Sequence, residues 1–382
     1  MSTAPVQTAP GSHNPIAQCD WFSDGNRTEP RATEHLHRAG CLFLRVLPHE
    51  QAVPALVWVF LLLTLFSFLV NGLTLLGLGR SEDLSWEPRV AFFKNLILSD
   101  LLQTVTFGPA VIGSLLQRRT MAFGAWCNVQ YFVGTVSIFS SLLTITFMAL
   151  ERYLYVCHAI RYLVIITQTR RRLALAFIWI YSTCVGTINV MLLHMGRGQN
   201  NEHVTRGLLC EPDTVEQHMG FPRASAVFRK CTGSVTLMLC LLVYAFSYLR
   251  MYQDARNAMM PFSTVNTKAR RTVLFYCGML FLQLLPLLLK VASDTLWEVE
   301  GTEAMVALTE PTPSDTAVVL HMALLVMLLV PPLINPVVYG LRNAETRRGM
   351  LSLFWCRTTR RDHGARPKAE LRLGYVLPQN PL

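Results

Sequence analysis

The sequence predicts an all-α membrane protein, a bundle of seven transmembrane helices followed by a short amphipathic eighth. Three observations predict it. Of the 382 residues, 52% are hydrophobic and 15% charged, against about 45–50% and about 25% in soluble domains. The apolar residues fall in long blocks rather than in the short alternating patches of a soluble core. Seven blocks reach the length a helix needs to cross the hydrocarbon core with every backbone N–H and C=O satisfied internally. A net charge of +10 would raise the question of nucleic acid in a soluble chain. Here the bilayer accounts for it, and no nucleic-acid partner is expected.

In order, the spans are Ala55–Leu78, Val90–Leu116, Cys127–Val156, Leu173–Met195, Val227–Tyr252, Thr272–Thr295 and Ala317–Leu341. The third, fifth and sixth carry polar residues at one end, yet each holds an uninterrupted apolar centre. Residues 1–54 form an N-terminal segment, 55–341 the membrane domain and 342–382 a tail. Loops and tail on one side of the spans hold twenty Lys and Arg and those on the other eleven, so retention of positive charge inside places the C-terminus in the cytoplasm and the N-terminus outside. Asn26-Arg27-Thr28, a glycosylation sequon, agrees with that orientation. Met1 to Glu50 lacks a continuous apolar core, so the first span is expected to act as its own insertion signal. After the seventh span, Glu345 to Phe354 reads as the membrane-surface helix, and Cys356 beside it as a palmitoylation site.

Polar groups inside a span are expensive and mark function or interhelical bonding. Asn71, Asp100 and Asn335 sit mid-span in the first, second and seventh helices, with Ser141 of the third as a further oxygen donor. They are expected to converge, either as a hydrated pocket holding a sodium ion near Asp100 or as a structural hydrogen-bond cluster. No other cofactor is expected.

Two motifs stand at helix ends. Met148-Ala149-Leu150-Glu151-Arg152-Tyr153 followed by Val156 to Tyr162 closes the third span, and Pro331-Pro332-Leu333-Ile334-Asn335-Pro336-Val337-Val338-Tyr339-Gly340-Leu341-Arg342-Asn343 closes the seventh. Together they resemble the rhodopsin-like class of G-protein-coupled receptors. More narrowly they look like its odorant-receptor branch, of the fish type or a relative. The resemblance covers Ala55 to about Phe354. It implies a small organic ligand, a heterotrimeric G protein of the cyclic-AMP-raising type, arrestin and membrane lipid as partners.

The resemblance also assigns roles. Glu151 would hold Arg152 in an intrahelical ion pair at rest, with Tyr153 beside them. Pro336 removes a backbone donor, so the seventh helix can kink and swing Tyr339 toward Tyr248 of the fifth. Ala159 and Ile160 would give an apolar contact to the G protein. Lys268 and Arg270 would either dock it or simply anchor the helix on the positive-inside rule. Of ten cysteines, Cys127 and Cys210 match the family's helix-to-loop disulfide. Cys157, Cys184, Cys240, Cys277 and Cys356 are expected to be free thiols, and Cys19, Cys41 and Cys231 stay unassigned.

Carried over by position, the ligand cavity takes Gly134, Thr135, Ile138, Thr232, Thr236, Leu284, Leu287, Leu288, Val291 and His321. It is mostly apolar. Gly134 stands where amine receptors carry an acid, which disfavours a cationic amine. Lys290 either attracts an acidic ligand group, snorkels to the interface or pairs with Asp294. Pro331-Pro332 replaces small polar residues of the family pattern, and Leu284 stands where many relatives carry an aromatic switch. The rival classes fit less well. A transporter would be expected to show an internal repeat or a chain of membrane acids, and no catalytic dyad or zinc motif marks an enzyme.

Overall fold

The computed structural model describes residues 39–40, 43–44, 47, 50–80, 88–121, 124–158, 160–195, 208–210, 223–257, positions 275, 278, 281–282, 284–286 and 289, and 315–342. The described architecture is helical, with no strand among these residues. A 3-10 turn at Glu50–Ala52 leads into α1 (Val53–Arg80). Then come α2 (Pro88–Gln117), α3 (Ala125–Cys157), α4 (Gln168–Met195) and α5 (Arg223–Asn257). The helical positions between 275 and 289 make α6 and fall inside the predicted sixth span. The last helix, α7, is Asp315–Arg342.

All six ranges begin before the apolar blocks do and end at or past them. A backbone with nowhere else to place its hydrogen bonds stays helical into the headgroup layer, which a count of apolar residues does not register. In α4 the extension takes in Arg170, Arg171 and Arg172. The loop between α3 and α4 holds a turn the sequence did not predict, a helix over Tyr162–Ile165.

α3 is the hub, packing against α2, α4 and α5, while α7 packs against α1 and α2. Burial follows this order. In the most apolar window of α1, 17% of residues are buried, against 61% in α2 and 56% in α3, so α1 gives most of its surface to lipid. The inward face of α1 is apolar toward its ends, at Phe60 and Leu78, and polar in the middle, where Ser67, Asn71 and Thr74 are each fully buried. α2 ends on Arg118, which takes the left-handed φ of 48° usually left to glycine. The Arg119 N–H bonds the Ser114 carbonyl at 3.1 Å and the Arg118 N–H bonds Leu115 at 3.3 Å, closing the helix in a Schellman motif.

At the end of the bundle that carries Cys127 and Cys210, Phe43, Leu47, Leu208 and Leu209 are buried with Phe60 of α1, Val111 and Leu115 of α2, and Leu325 and Leu329 of α7. The N-terminal segment and the α4–α5 loop thus fill the crevice between α1, α2 and α7 with the chain's own side chains. The Thr120 N–H fixes the segment by bonding the Ala39 carbonyl at 3.2 Å.

Candidate functional site

The mid-span polar residues come together around Asp100. Asn335 Nδ2 donates to Asp100 Oδ2 at 2.8 Å, and Ser141 Oγ donates to Oδ1 at 3.4 Å. Asn71 joins through intermediates. Thr104 Oγ1 bonds the Asp100 carbonyl at 2.8 Å and Ser67 Oγ at 2.9 Å, and Asn71 Nδ2 lies 3.2 Å from that same Ser67 hydroxyl. Asp100, Asn335, Asn71 and Thr104 are all buried to 1% exposure or less. Neighbouring turns of α2 continue the network. Asn95 bonds Thr144 of α3 and Trp179 of α4, each at 2.7 Å, and Ser99 bonds Ser140 at 2.8 Å.

The prolines of α7 explain two further bonds. A proline at position i offers no N–H to the carbonyl at i−4. Pro336 therefore orphans the Pro332 carbonyl, and Pro332 in turn orphans that of Leu328. Side chains from other helices take both: Asn71 Nδ2 donates to the Pro332 oxygen at 2.8 Å, and Gln103 Nε2 donates to the Leu328 oxygen at 2.7 Å. Gln103 escaped sequence reasoning. Its signal was there: it sits one turn beyond Asp100 on α2, and the Pro-Pro pair of α7 leaves carbonyls a turn earlier in need of donors.

At the opposite end of α3 from the disulfide, Glu151 is 3% exposed. Its counter-charge corrects the expected pairing with Arg152. Arg89 Nε of α2 lies 3.1 Å from Glu151 Oε1, and Tyr162 OH donates to that same oxygen at 2.5 Å. The physical reason is helical geometry, since consecutive residues point about 100° apart and do not face each other. Arg152 is half-buried and has interactions of its own. Tyr153 packs edge-on against His158 and Phe246, at ring-centroid distances of 5.4 and 5.5 Å. Tyr248 is buried, its ring 4.5 Å from that of Tyr244. Ile160 is 100% exposed on its loop. Ala159, Lys268, Arg270, Asn26 and Cys356 lie outside the described residues, as does the eighth helix. Pro336 is buried in α7, where Tyr339 and His321 also lie, the side chains of those two being outside the description.

Cys127 and Cys210 are joined, as the resemblance implied, with Cα atoms 5.4 Å apart. Gln130 brackets the bond: it accepts the Cys210 N–H at 3.1 Å and donates to the Thr106 carbonyl of α2 at 3.4 Å. Ser114 Oγ holds the Leu208 carbonyl at 2.9 Å. Cys157, Cys184, Cys231 and Cys240 are free thiols, and Cys19, Cys41, Cys277 and Cys356 lie outside the described residues.

Of the residues assigned to a ligand cavity, Thr135 is half-buried and bonds the Tyr131 carbonyl at 2.8 Å. Thr232 and Leu284 are half-buried and Ile138 is exposed. The Thr236 hydroxyl is engaged, bonding Tyr181 of α4 at 2.6 Å and the Thr232 carbonyl at 2.7 Å. Leu287, Leu288, Lys290 and Val291 lie outside the described residues. Gly134 has a partner not foreseen: a Cβ there would meet Phe107 Cζ at 2.5 Å. The ring of α2 occupies the space into which an acid at this position would grow.

A polytopic helical bundle with a buried acid–amide centre, three prolines inside α7 and a helix-to-loop disulfide is the arrangement of a membrane receptor of the seven-helix type. Residues 70–339 match the family model of the 7 transmembrane receptor (rhodopsin family), and the chain belongs to that family. It is a receptor and not an enzyme. Among its relatives is olfactory receptor 2AG1 from Homo sapiens, 24% identical over 325 residues that cover 82% of this chain and 92% of the relative. Olfactory receptor 6S1 from Homo sapiens is 24% identical over 319 residues, 78% of this chain and 84% of that one. The histamine H2 receptor from Homo sapiens is 23% identical over 280 residues, 71% of each chain. The olfactory receptors bear out the resemblance to the odorant-receptor branch.

Proposed function

We propose that this receptor binds a small organic ligand among α3, α5, α6 and α7 and activates a cyclic-AMP-raising heterotrimeric G protein, as an odorant receptor of the fish type or a close relative. The observation that carries this reading is the joining of Asp100, Asn335 and Ser141 in one buried centre, with Asn335 next to Pro336 inside α7. A ligand that prefers one arrangement of α7 shifts an existing equilibrium by its difference in affinity for the two. Pro336 removes one bond from the ladder of α7 and would let it bend into a second arrangement, whose movement would reach the G protein by way of Glu151, Arg152 and Tyr153.

The N-terminus is outside and the C-terminus inside, on the charge asymmetry of the loops. Residues 1–54 carry a glycan on Asn26, and residues 342–382 are a cytoplasmic surface helix and tail with Cys356 palmitoylated and arrestin as a later partner. Lys290 gives the cavity a cation for an acidic or acceptor group on the ligand. Asp100 and Ser141 supply oxygen donors of the kind sodium takes, and Asn71 Oδ1 is a buried acceptor with no partner among the described residues. A sodium ion held there would offset the buried charge of Asp100 at rest.

A second reading follows from the histamine H2 relative: a class A receptor outside olfaction. Gly134, covered by the Phe107 ring, speaks against an amine held by an acid at that position. A screen of uncharged and acidic odorants against cationic amines, with cyclic AMP read in transfected cells, separates the two. We expect responses to the former; responses confined to amines would overturn the odorant reading.

A further inference from the structure

Glu151 is shared by three elements. Arg89 reaches it from the start of α2, Tyr162 reaches it from the turn between α3 and α4, and Tyr155, one turn beyond Glu151 on α3, lies under the Arg89 guanidinium at 3.7 Å from the ring centroid. Tyr155 and Tyr162 meet edge to face at 5.2 Å. The guanidinium is thus held between a carboxylate and an aromatic face, an arrangement that suits arginine and not lysine. The turn that carries Tyr162 is also held by local backbone bonds, Val164 and Ile165 N–H to the Arg161 carbonyl and Ile166 N–H to that of Tyr162, and by Arg170 of α4, whose Nη1 donates to the Ile165 carbonyl at 3.0 Å. The Tyr162 hydroxyl ties this turn to α3, as Arg170 ties it to α4.

We infer that Arg89 is a positioning residue for G-protein coupling: by fixing the Glu151 carboxylate it sets where Tyr162, and with it the exposed Ile160, stands on the inner face. The inference rests on the receptor reading above and adds a residue that the resemblance did not assign. Arg89 neutralises a carboxylate that is nearly inaccessible to water, so without it Tyr162 would be the remaining partner of a poorly solvated charge. The carboxylate then turns toward water, and the loop loses its register. Because the clasp joins α2 to α3, its opening also frees the loop to follow the bundle into the active arrangement.

The test uses the full-length receptor in lipid nanodiscs, without ligand. Hydrogen exchange of the amides over 161–166 is followed by mass spectrometry, and basal nucleotide exchange is followed on an added heterotrimeric G protein. Arg89→Ala and Tyr162→Phe are each expected to speed loop exchange about five- to tenfold, as loss of one partner of a largely buried charge would. Basal nucleotide exchange rises with it. Arg89→Met keeps the bulk of the stem without the charge and is expected to behave like Arg89→Ala. The charge-swapped pair Arg89→Glu with Glu151→Arg is expected to restore slow loop exchange that each single change loses. Wild-type loop exchange in Arg89→Met, or failure of the swapped pair to slow it while the receptor remains folded, overturns the inference. Should the loop respond as expected while neither wild type nor any variant stimulates nucleotide exchange, the clasp stands and the G-protein reading fails.

Discussion

Replacing Cys127 or Cys210 with serine is expected to remove most of the receptor from the cell surface and to cost about 3 kcal/mol of stability, measured as thermal denaturation of the purified protein in detergent. The loop that the disulfide closes is counted in two ways. By sequence it spans 83 residues, but α3 and α4 already hold their spans in the membrane, so the chain left to be constrained runs from the end of α4 at Met195 to Cys210. A loop of roughly 15 residues gives about 3 kcal/mol by the chain-entropy account. The bond also seats Leu208 and Leu209, which are 0% and 3% exposed, and releasing either to water gives up about 1.5–3 kcal/mol. Gln130 and Ser114 hold the same segment by its backbone and are expected to keep the two leucines seated, which leaves the loop-entropy figure as the expected loss. Wild-type stability and surface level in Cys210→Ser would show that packing alone seats the loop.

The second large effect concerns α7. Gln103→Leu leaves the Leu328 carbonyl without its donor, and Asn71→Leu does the same for Pro332. Polar contacts between membrane helices average about 0.6 kcal/mol because the separated helices find other partners. A carbonyl freed by proline has no backbone alternative, so each substitution is expected nearer the cost of a stranded buried group, about 1–2 kcal/mol. The diagnostic is suppression. Pro332→Ala returns an N–H to the helix ladder at the position that would serve Leu328, and in the Gln103→Leu background it is expected to recover at least half of the lost stability. No recovery would mean that Gln103 matters for packing and not for the orphaned oxygen.

The sequence made the architecture readable because the bilayer enforces it: six described helices cover the predicted spans to within about five residues, and α6 falls within its own. The convergence of Asp100, Asn335 and Ser141 was readable for a related reason, since polar groups placed mid-span at high cost have few destinations. What the sequence hid depended on contacts between distant segments. Nothing in the sequence singled out Arg89, and only the approach of α2 to α3 shows it paired with Glu151. The turn at Tyr162–Ile165 is too short for any periodic signal. Phe43 and Leu47 belong to a mostly apolar run, Cys41 to Leu47, too short to span a membrane, and its sequence does not say that they are buried between α1, α2 and α7. Phe107 over Gly134 was hidden likewise, because a glycine tells nothing of what fills the space beside it.

The central claim is that this bundle passes a signal to a G protein through the inner end of α3. Basal GTP exchange on a cyclic-AMP-raising heterotrimer, measured with the purified receptor in nanodiscs, tests it most directly. The account predicts that wild-type receptor accelerates exchange over empty nanodiscs and that Arg152→Ala, folded to the same extent, does not. Exchange that is no faster with wild type than with empty nanodiscs, or equally fast with Arg152→Ala, would contradict it.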